Sequence, residues 1–289
     1  MMAALALGTV QFGLRYGVAN QTGQVSQQQV NAILAAAASA GVDTLDTAIA
    51  YGESEASLGR AGTERWRVVT KLPALPQVCP SIESWIEEQL DGSLRRLGRT
   101  SVEAVLLHRP TDLLGSRGEE YLSALQKAAV GRCRLLGVSI YGPGELDALW
   151  PFWQPQIVQA PCNVLDRRLL SSGWLGRLAA QAVEVHTRST FLQGLLLMSA
   201  ERRPAAFAPW FPLLDRWLGW CREQSLTPLS AAMGFVLTQP GISRVIVGVD
   251  STDQLQEILA AARPGQKQPP ADLFSEDVGL IDPSHWKLP

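Results

Sequence analysis

The chain has 289 residues, of which 46% are hydrophobic and 18% charged, with a formal net charge of -2. That balance belongs to a globular protein with ample core, and it gives no electrostatic footing for nucleic acid or an anionic membrane surface. Cys79, Cys133, Cys162 and Cys221 show neither CxxC nor metal-ligand spacing and only three histidines are present, so reduced thiols and no metal site are expected. The opening MMAALALGTV lacks the basic region and apolar length of a signal peptide, and no run reaches a membrane span. A cytoplasmic location is therefore the expectation.

Short apolar runs and helical signals alternate along the chain. LALGT, 5–9, reads as a first strand. Ser26 with Gln29 predicts a capping box, Val30, Ile33, Leu34 and Ala37 recur with helical spacing, and Gly41 is placed to stop the helix. VDTLDTA, 42–48, and RWRVVTKL, 65–72, follow as strands, and then an amphipathic segment with Ile86, Leu90, Leu94 and Leu97 ends at Gly98. VEAVLLH, 102–108, is succeeded by a helix near 119–130, the strand CRLLGVSI, 133–140, and a short helix opened by Pro143. PQIVQA, 155–160, a helix near 174–181 and AVEVHTRS, 182–189, continue the pattern. A longer excursion, 190–243, holds one or two helices before SRVIVGV, 243–249, and a helix over 252–262.

Eight strands alternating with helices predict a closed (β/α)8 barrel, a single domain over 1–289 whose segment 264–289 wraps the barrel as a C-terminal tail. The competing doubly wound sheet carries a Gly-rich phosphate turn after its first strand, and GTVQFG is not one.

In such a barrel the chemistry lies at the C-terminal strand ends. Those ends are Thr9, Asp46, Lys71, His108, Ser139, Gln159, Arg188 with Ser189, and Gly248 with Asp250. Asp, Lys and His on three consecutive strands converge on one mouth, with Tyr51 just beyond Asp46. A tyrosine hydroxyl, pKa near ~10, is a weak acid–base group unless its surroundings change it. An ammonium nearby lowers that pKa, and a carboxylate keeps the ammonium charged. Asp46, Lys71 and Tyr51 then form a relay that makes Tyr51 a general acid toward a carbonyl oxygen, with His108 donating to the same oxygen.

The segments GVDTLDTAIAYGESEASLG, VVTKL, LLHRP, LLGVSIY, FLQGLLL and QPGISRVIVG resemble the successive signatures of the aldo-keto reductase superfamily, in order, over residues 5 to about 258. The resemblance implies hydride transfer between NAD(P)H and a small aldehyde or ketone, with Asp46, Tyr51, Lys71 and His108 as the catalytic set. It further implies a cofactor site drawn from Thr9, Asp46, Ser139, Gln159, Arg188, Ser189, Leu192, Gly194, Gly248, Ser251 and Gln254. Two positions depart from the family pattern. Ile140 stands where an asparagine is usual, and Arg188 stands where an aromatic residue stacks on the nicotinamide.

At the adenosine end, Ser251 and Gln254 form a second capping-box pattern, and GVDSTDQ carries Asp250 and Asp253 but no cation. Family precedent favours NADP(H), whereas Asp250 on a ribose hydroxyl would admit NAD(H). The family's N-terminal hairpin is not evident, which predicts a more open barrel bottom. Phe12, Trp66 and Trp286 are candidates for a substrate pocket or for packing, while His186 and His285 read as structural. Two further readings are a cofactor-binding regulatory protein with little turnover and an enzyme forming a Schiff base on Lys71.

Overall fold

The computed structural model describes residues 3–20, 22–263 and 267–286. Eight parallel strands close in sequence order: β1 (Ala4–Gly8), β2 (Thr44–Asp46), β3 (Arg67–Leu72), β4 (Val102–Leu107), β5 (Cys133–Ser139), β6 (Ile157–Pro161), β7 (Glu184–Arg188) and β8 (Arg244–Gly248). The crossovers are α1 (Gln27–Ser39), α2 (Ser54–Ala61), α3 (Ile82–Leu97), α4 (Gly118–Ala129) and α5 (Pro143–Leu149), then α6 (Arg168–Ser171) with α7 (Trp174–Ala180), α8 (Phe211–Glu223) with α9 (Pro228–Leu237), and finally α10 (Thr252–Ala261). The tail adds α11 (Val278–Ile281). The closed barrel expected from the sequence is the architecture observed, and no helix among the described residues is long and apolar enough to cross a membrane.

The local signals act as their chemistry requires. Ser26 and Gln29 close the capping box of α1, and Gly98 ends α3 in the left-handed conformation. β2 is shorter than its apolar run, yet Thr47 and Ile49 still donate backbone N–H groups to Val69 and Lys71 at 2.8 and 3.2 Å. The one-turn segments α6 and α11 escaped sequence reading because four residues carry no periodicity.

Register sorts the barrel interior into layers. Val69 pairs with Ala104, Leu106 with Gly137, and Gly137 with Ile157, so Val69, Ala104, Leu106 and Ile157 share the inside and form an apolar plug backed by Leu135. Below it, at the N-terminal strand ends, Arg67 meets Glu103 at 2.7 Å and Glu184 at 3.4 Å, Arg134 bonds Glu103, and Arg244 bonds Asp43 at 3.0 Å. His186, which is buried, is 2.9 Å from Glu184. Charged side chains thus cross-link the strand ends at the barrel bottom. Above the plug lie Asp46, Lys71, Ser139 and Gln159, all buried.

The tail is anchored by Ser275 N–H on the Leu165 carbonyl (2.8 Å) and by Trp286, whose ring meets Phe207 edge-on at 4.8 Å. Trp286 is therefore a packing residue. Phe12 and Trp66 are likewise buried in the core, so none of the three forms a substrate pocket.

Candidate active site

Asp46 pairs in register with Val69, which puts Lys71, two residues further along β3, on the same inner face and just above it. Lys71 is fully buried and gives its three protons to Asp46 Oδ1 and Oδ2 (2.8 and 2.7 Å) and the Thr47 carbonyl (2.8 Å). Asp46 also accepts from Gln159 Nε2 at 2.6 Å, and the Ser139 hydroxyl is 3.3 Å from the Gln159 side-chain oxygen. Burial pulls the Lys71 pKa down, and the charge and hydrogen bonds of Asp46 oppose that pull.

Tyr51 sits on the turn between β2 and α2. Gly52, with φ of 54°, makes that turn possible, and Gly13 lets a second loop press against it. A Cβ on Gly13 would lie 1.8 Å from the Tyr51 carbonyl oxygen and 2.4 Å from the Ser54 nitrogen. Ser54 completes the support through hydroxyl contacts to Thr9 and Thr47 at 2.9 and 3.1 Å. Glu55, equally buried, accepts from Thr70, Ser93 and Arg96 and so ties α2 to β3 and α3.

Lys71 Nζ is 5.1 Å from the Tyr51 ring centroid, and the His108 ring meets Tyr51 edge-on at 5.8 Å. Burial and then the Asp46 charge push the Tyr51 pKa up; the cation acting against them is Arg188. The lowered Tyr51 pKa expected from Lys71 is therefore not found. Lys71 and Asp46 form a neutral pair, which cancels most of the ammonium's field on the phenol. His108 is driven down to about 4 by burial, with Lys71 and Arg188 adding to it, so its imidazole is neutral at physiological pH.

Both departures from the family pattern meet in one corner. Arg188 Nη2 donates to the Ile140 carbonyl at 3.0 Å, Nη1 donates to the Ser189 hydroxyl at 3.3 Å, and the guanidinium lies 4.8 Å above the Tyr141 ring. The Ile140 side chain itself is buried.

These groups open into a cavity of about 1030 Å³ at the C-terminal face. Of the sequence-implied residues, Thr9, Asp46, Tyr51, His108, Arg188, Ser189, Gly194, Gly248, Ser251 and Gln254 line it. Lys71, Ser139, Gln159 and Leu192 do not. Lys71 acts from beneath the wall, the Gln159 amide donates to Asp46, and Leu192 is packed in the core. Thr9 is fully buried and gives its hydroxyl to the Asp46 carbonyl at 3.0 Å. Ser251 caps α10 by accepting from Gln254 N–H, but the Gln254 side-chain oxygen accepts from Asp250 N–H at 2.8 Å, so the second capping box is not reciprocal.

Sequence reading missed Gln11, Tyr16, Asn20, Tyr141, Thr190 and Gln193 on the cavity wall. They sit on loops with no periodicity to expose them. Asn20 had a signal, since Asn followed by Gly23 makes a side-chain turn: its side-chain oxygen accepts from Thr22 and Gly23, while its amide donates to Asp250 at 3.2 Å. Ser189, Leu192 and Gln193 adopt left-handed φ of 64°, 48° and 53°, followed by Gly194 at 93°.

The family model described as "Aldo/keto reductase family" matches residues 4–268. An aldo-keto reductase of Mycolicibacterium paratuberculosis is 32% identical over 122 residues, 40% of this chain and 41% of that protein. The chain thus spans about two fifths of that relative's length. The 6-dehydroglucose reductase of Agrobacterium fabrum is 27% identical over 274 residues, covering 82% of each chain. An aldo-keto reductase structure from Bacillus halodurans, in a holo form, superposes with a TM-score of 0.72 at 20% identity, covering 94% of this chain and 90% of that one, a likeness of fold. With eight strands closed in order and the match running through all of them, the chain belongs to the aldo/keto reductase family.

Proposed function

We propose that this protein reduces an aldehyde or ketone to an alcohol with NAD(P)H, Tyr51 acting as general acid and Lys71, Asp46 and His108 supporting it. The observation that carries the reading is the Asp46–Lys71 pair buried beside Tyr51 and His108 at the floor of one cavity. The residues fit a nicotinamide dinucleotide. Gln11 Oε1 and Thr190 Oγ1 are buried on the cavity wall with no hydrogen-bond partner among the described residues, as expected of a wall that meets a polar ligand. Ser189 and Gly194 would cradle its phosphates, and Ser251 and Gln254 would hold the adenosine end. When bound, the cofactor supplies the hydride.

The protein supplies orientation and the proton. Neutral His108 donates to the substrate oxygen, and Tyr51, protonated because its pKa is raised, donates to the same atom. As negative charge grows on that oxygen, the Tyr51 proton passes to the far more basic alkoxide. The buried Lys71 ammonium lies 5.1 Å from the Tyr51 ring centroid, and because Asp46 balances its charge it steadies the phenolate that forms only as the near end of a dipole. Tyr51→Phe should abolish NADPH oxidation by 4-nitrobenzaldehyde while leaving nucleotide binding intact. Full activity in that variant would rule Tyr51 out as the acid.

NADP(H) is the proposed cofactor: Arg202, brought to the cavity wall by the excursion after β7, is a cation that GVDSTDQ lacks. The second reading, NAD(H), rests on Asp250, whose carboxylate meets the Asn20 amide and no cation among the described residues. Parallel fluorescence titration with NADPH and NADH separates the two.

A further inference from the structure

Arg188 is the cation that the proposed chemistry leaves over. It is half-buried at the end of β7, lines the cavity, and has no carboxylate partner among the described residues. Its contacts are a neutral carbonyl, a hydroxyl and an aromatic face: Ile140 O at 3.0 Å, Ser189 Oγ at 3.3 Å and the Tyr141 ring at 4.8 Å. These hold the guanidinium in place without neutralising it. Among the described residues two of its N–H groups are used, and a guanidinium offers five.

The charges around the floor can be counted. Lys71 and Asp46 cancel, His108 is neutral, and Tyr51 keeps its proton. Arg188 remains as one uncompensated positive charge. It lines the same cavity as Tyr16, Tyr51 and His108, so it faces the reacting region. A partly desolvated guanidinium in that position calls for an oxyanion.

We propose that Arg188 binds an anionic oxygen group, carboxylate or phosphate, carried by the carbonyl substrate, and thereby selects anionic over neutral carbonyl compounds. The inference rests on the reductase reading above. Tyr141 and the Ile140 carbonyl act as positioning groups that fix the fork.

The test compares kcat/KM with NADPH for benzaldehyde against 2-, 3- and 4-carboxybenzaldehyde, and for glyceraldehyde against glyceraldehyde 3-phosphate. The two series separate carboxylate from phosphate recognition. A charge-assisted hydrogen bond should favour at least one anionic compound over its neutral partner by roughly 10- to 100-fold. Arg188→Met should erase that preference, lowering kcat/KM for the anionic compound at least about tenfold more than for its neutral partner, and Arg188→Lys should restore part of it. Calorimetry of the NADPH complex with 4-carboxybenzyl alcohol against benzyl alcohol reads the same preference without turnover. Equal handling of anionic and neutral ligands by the wild type, or an equal loss for both in Arg188→Met, overturns the role of Arg188 alone. Failure to bind nucleotide or reduce any carbonyl overturns the reductase reading, and the inference falls with it.

Discussion

Gln159 reaches across the top of the barrel to donate its amide to Asp46 at 2.6 Å. Asp46 is thereby held from two sides, by Lys71 on β3 and by Gln159 on β6, with Ser139 next in the chain. The resemblance to the family implies that Ser139 and Gln159 hold the nicotinamide carboxamide, yet in this structure the Gln159 amide donates to the carboxylate and the Ser139 hydroxyl to the Gln159 side-chain oxygen. Gln159→Leu distinguishes the two roles. If Gln159 positions Asp46, kcat should fall about tenfold, the scale of one charged hydrogen bond, with nucleotide affinity unchanged. A rise in the nucleotide dissociation constant at constant kcat would assign it to the cofactor instead.

Asp46→Asn leaves Lys71, fully buried, without its counter-charge. Removing one partner of a buried pair costs about 3–5 kcal/mol, because the remaining charge has lost its water and its partner. For a chain of this length that is a fall in melting temperature on the order of 10 °C, read by calorimetry. Carbonyl reduction should fall with it. An unchanged melting temperature would mean that Lys71 is already neutral in the folded protein.

Gly13→Ala places a methyl carbon 1.8 Å from the Tyr51 carbonyl oxygen, a distance the backbone must relieve by moving. Tyr51 then shifts relative to His108 and Lys71. A displacement of about 1 Å costs about 10²-fold in rate, and it should appear in kcat more than in nucleotide binding. Wild-type kcat in this variant would show that the two loops adjust without disturbing Tyr51.

Acid should weaken the fold in two stages. The Glu184 pKa is depressed to about 2, first by its hydrogen bond with His186 and then by the charges of His186, Arg67 and Arg244 against the cost of burial. The unfolded chain therefore binds the proton first, and the stability Glu184 contributes is present above its unfolded pKa and lost as pH falls toward 2. His108 is depressed to about 4 by burial, so between its ordinary value of 6.5 and 4 the unfolded state again holds more protons. Both signs agree: the melting temperature should decline from about pH 6.5 downward. Glu184→Gln should flatten the lower part of that curve only. Because His108 stays neutral, kcat/KM should show no inflection near pH 6.5; one there would place a protonated His108 in the active form.

Much of this protein is decided by its sequence. Alternating apolar runs and capped helices dictate eight strand–helix units, since each strand must bury both faces and each helix one stripe. The order Asp46, Tyr51, Lys71 and His108 on the first strand ends is equally local information. Closure of the barrel then decided what spacing could not. It set Lys71 so tightly against Asp46 that the ammonium is balanced, leaving burial and then the Asp46 charge to raise the Tyr51 pKa. It turned the Gln159 amide toward Asp46, and it cross-linked the strand starts through Glu103 and Glu184. It also brought Arg188 beside Ile140 and Tyr141, 48 residues apart along the chain at the Ile140 carbonyl. Charges act through space, with strength set by burial and by the charges next to them, and only the folded chain specifies those distances.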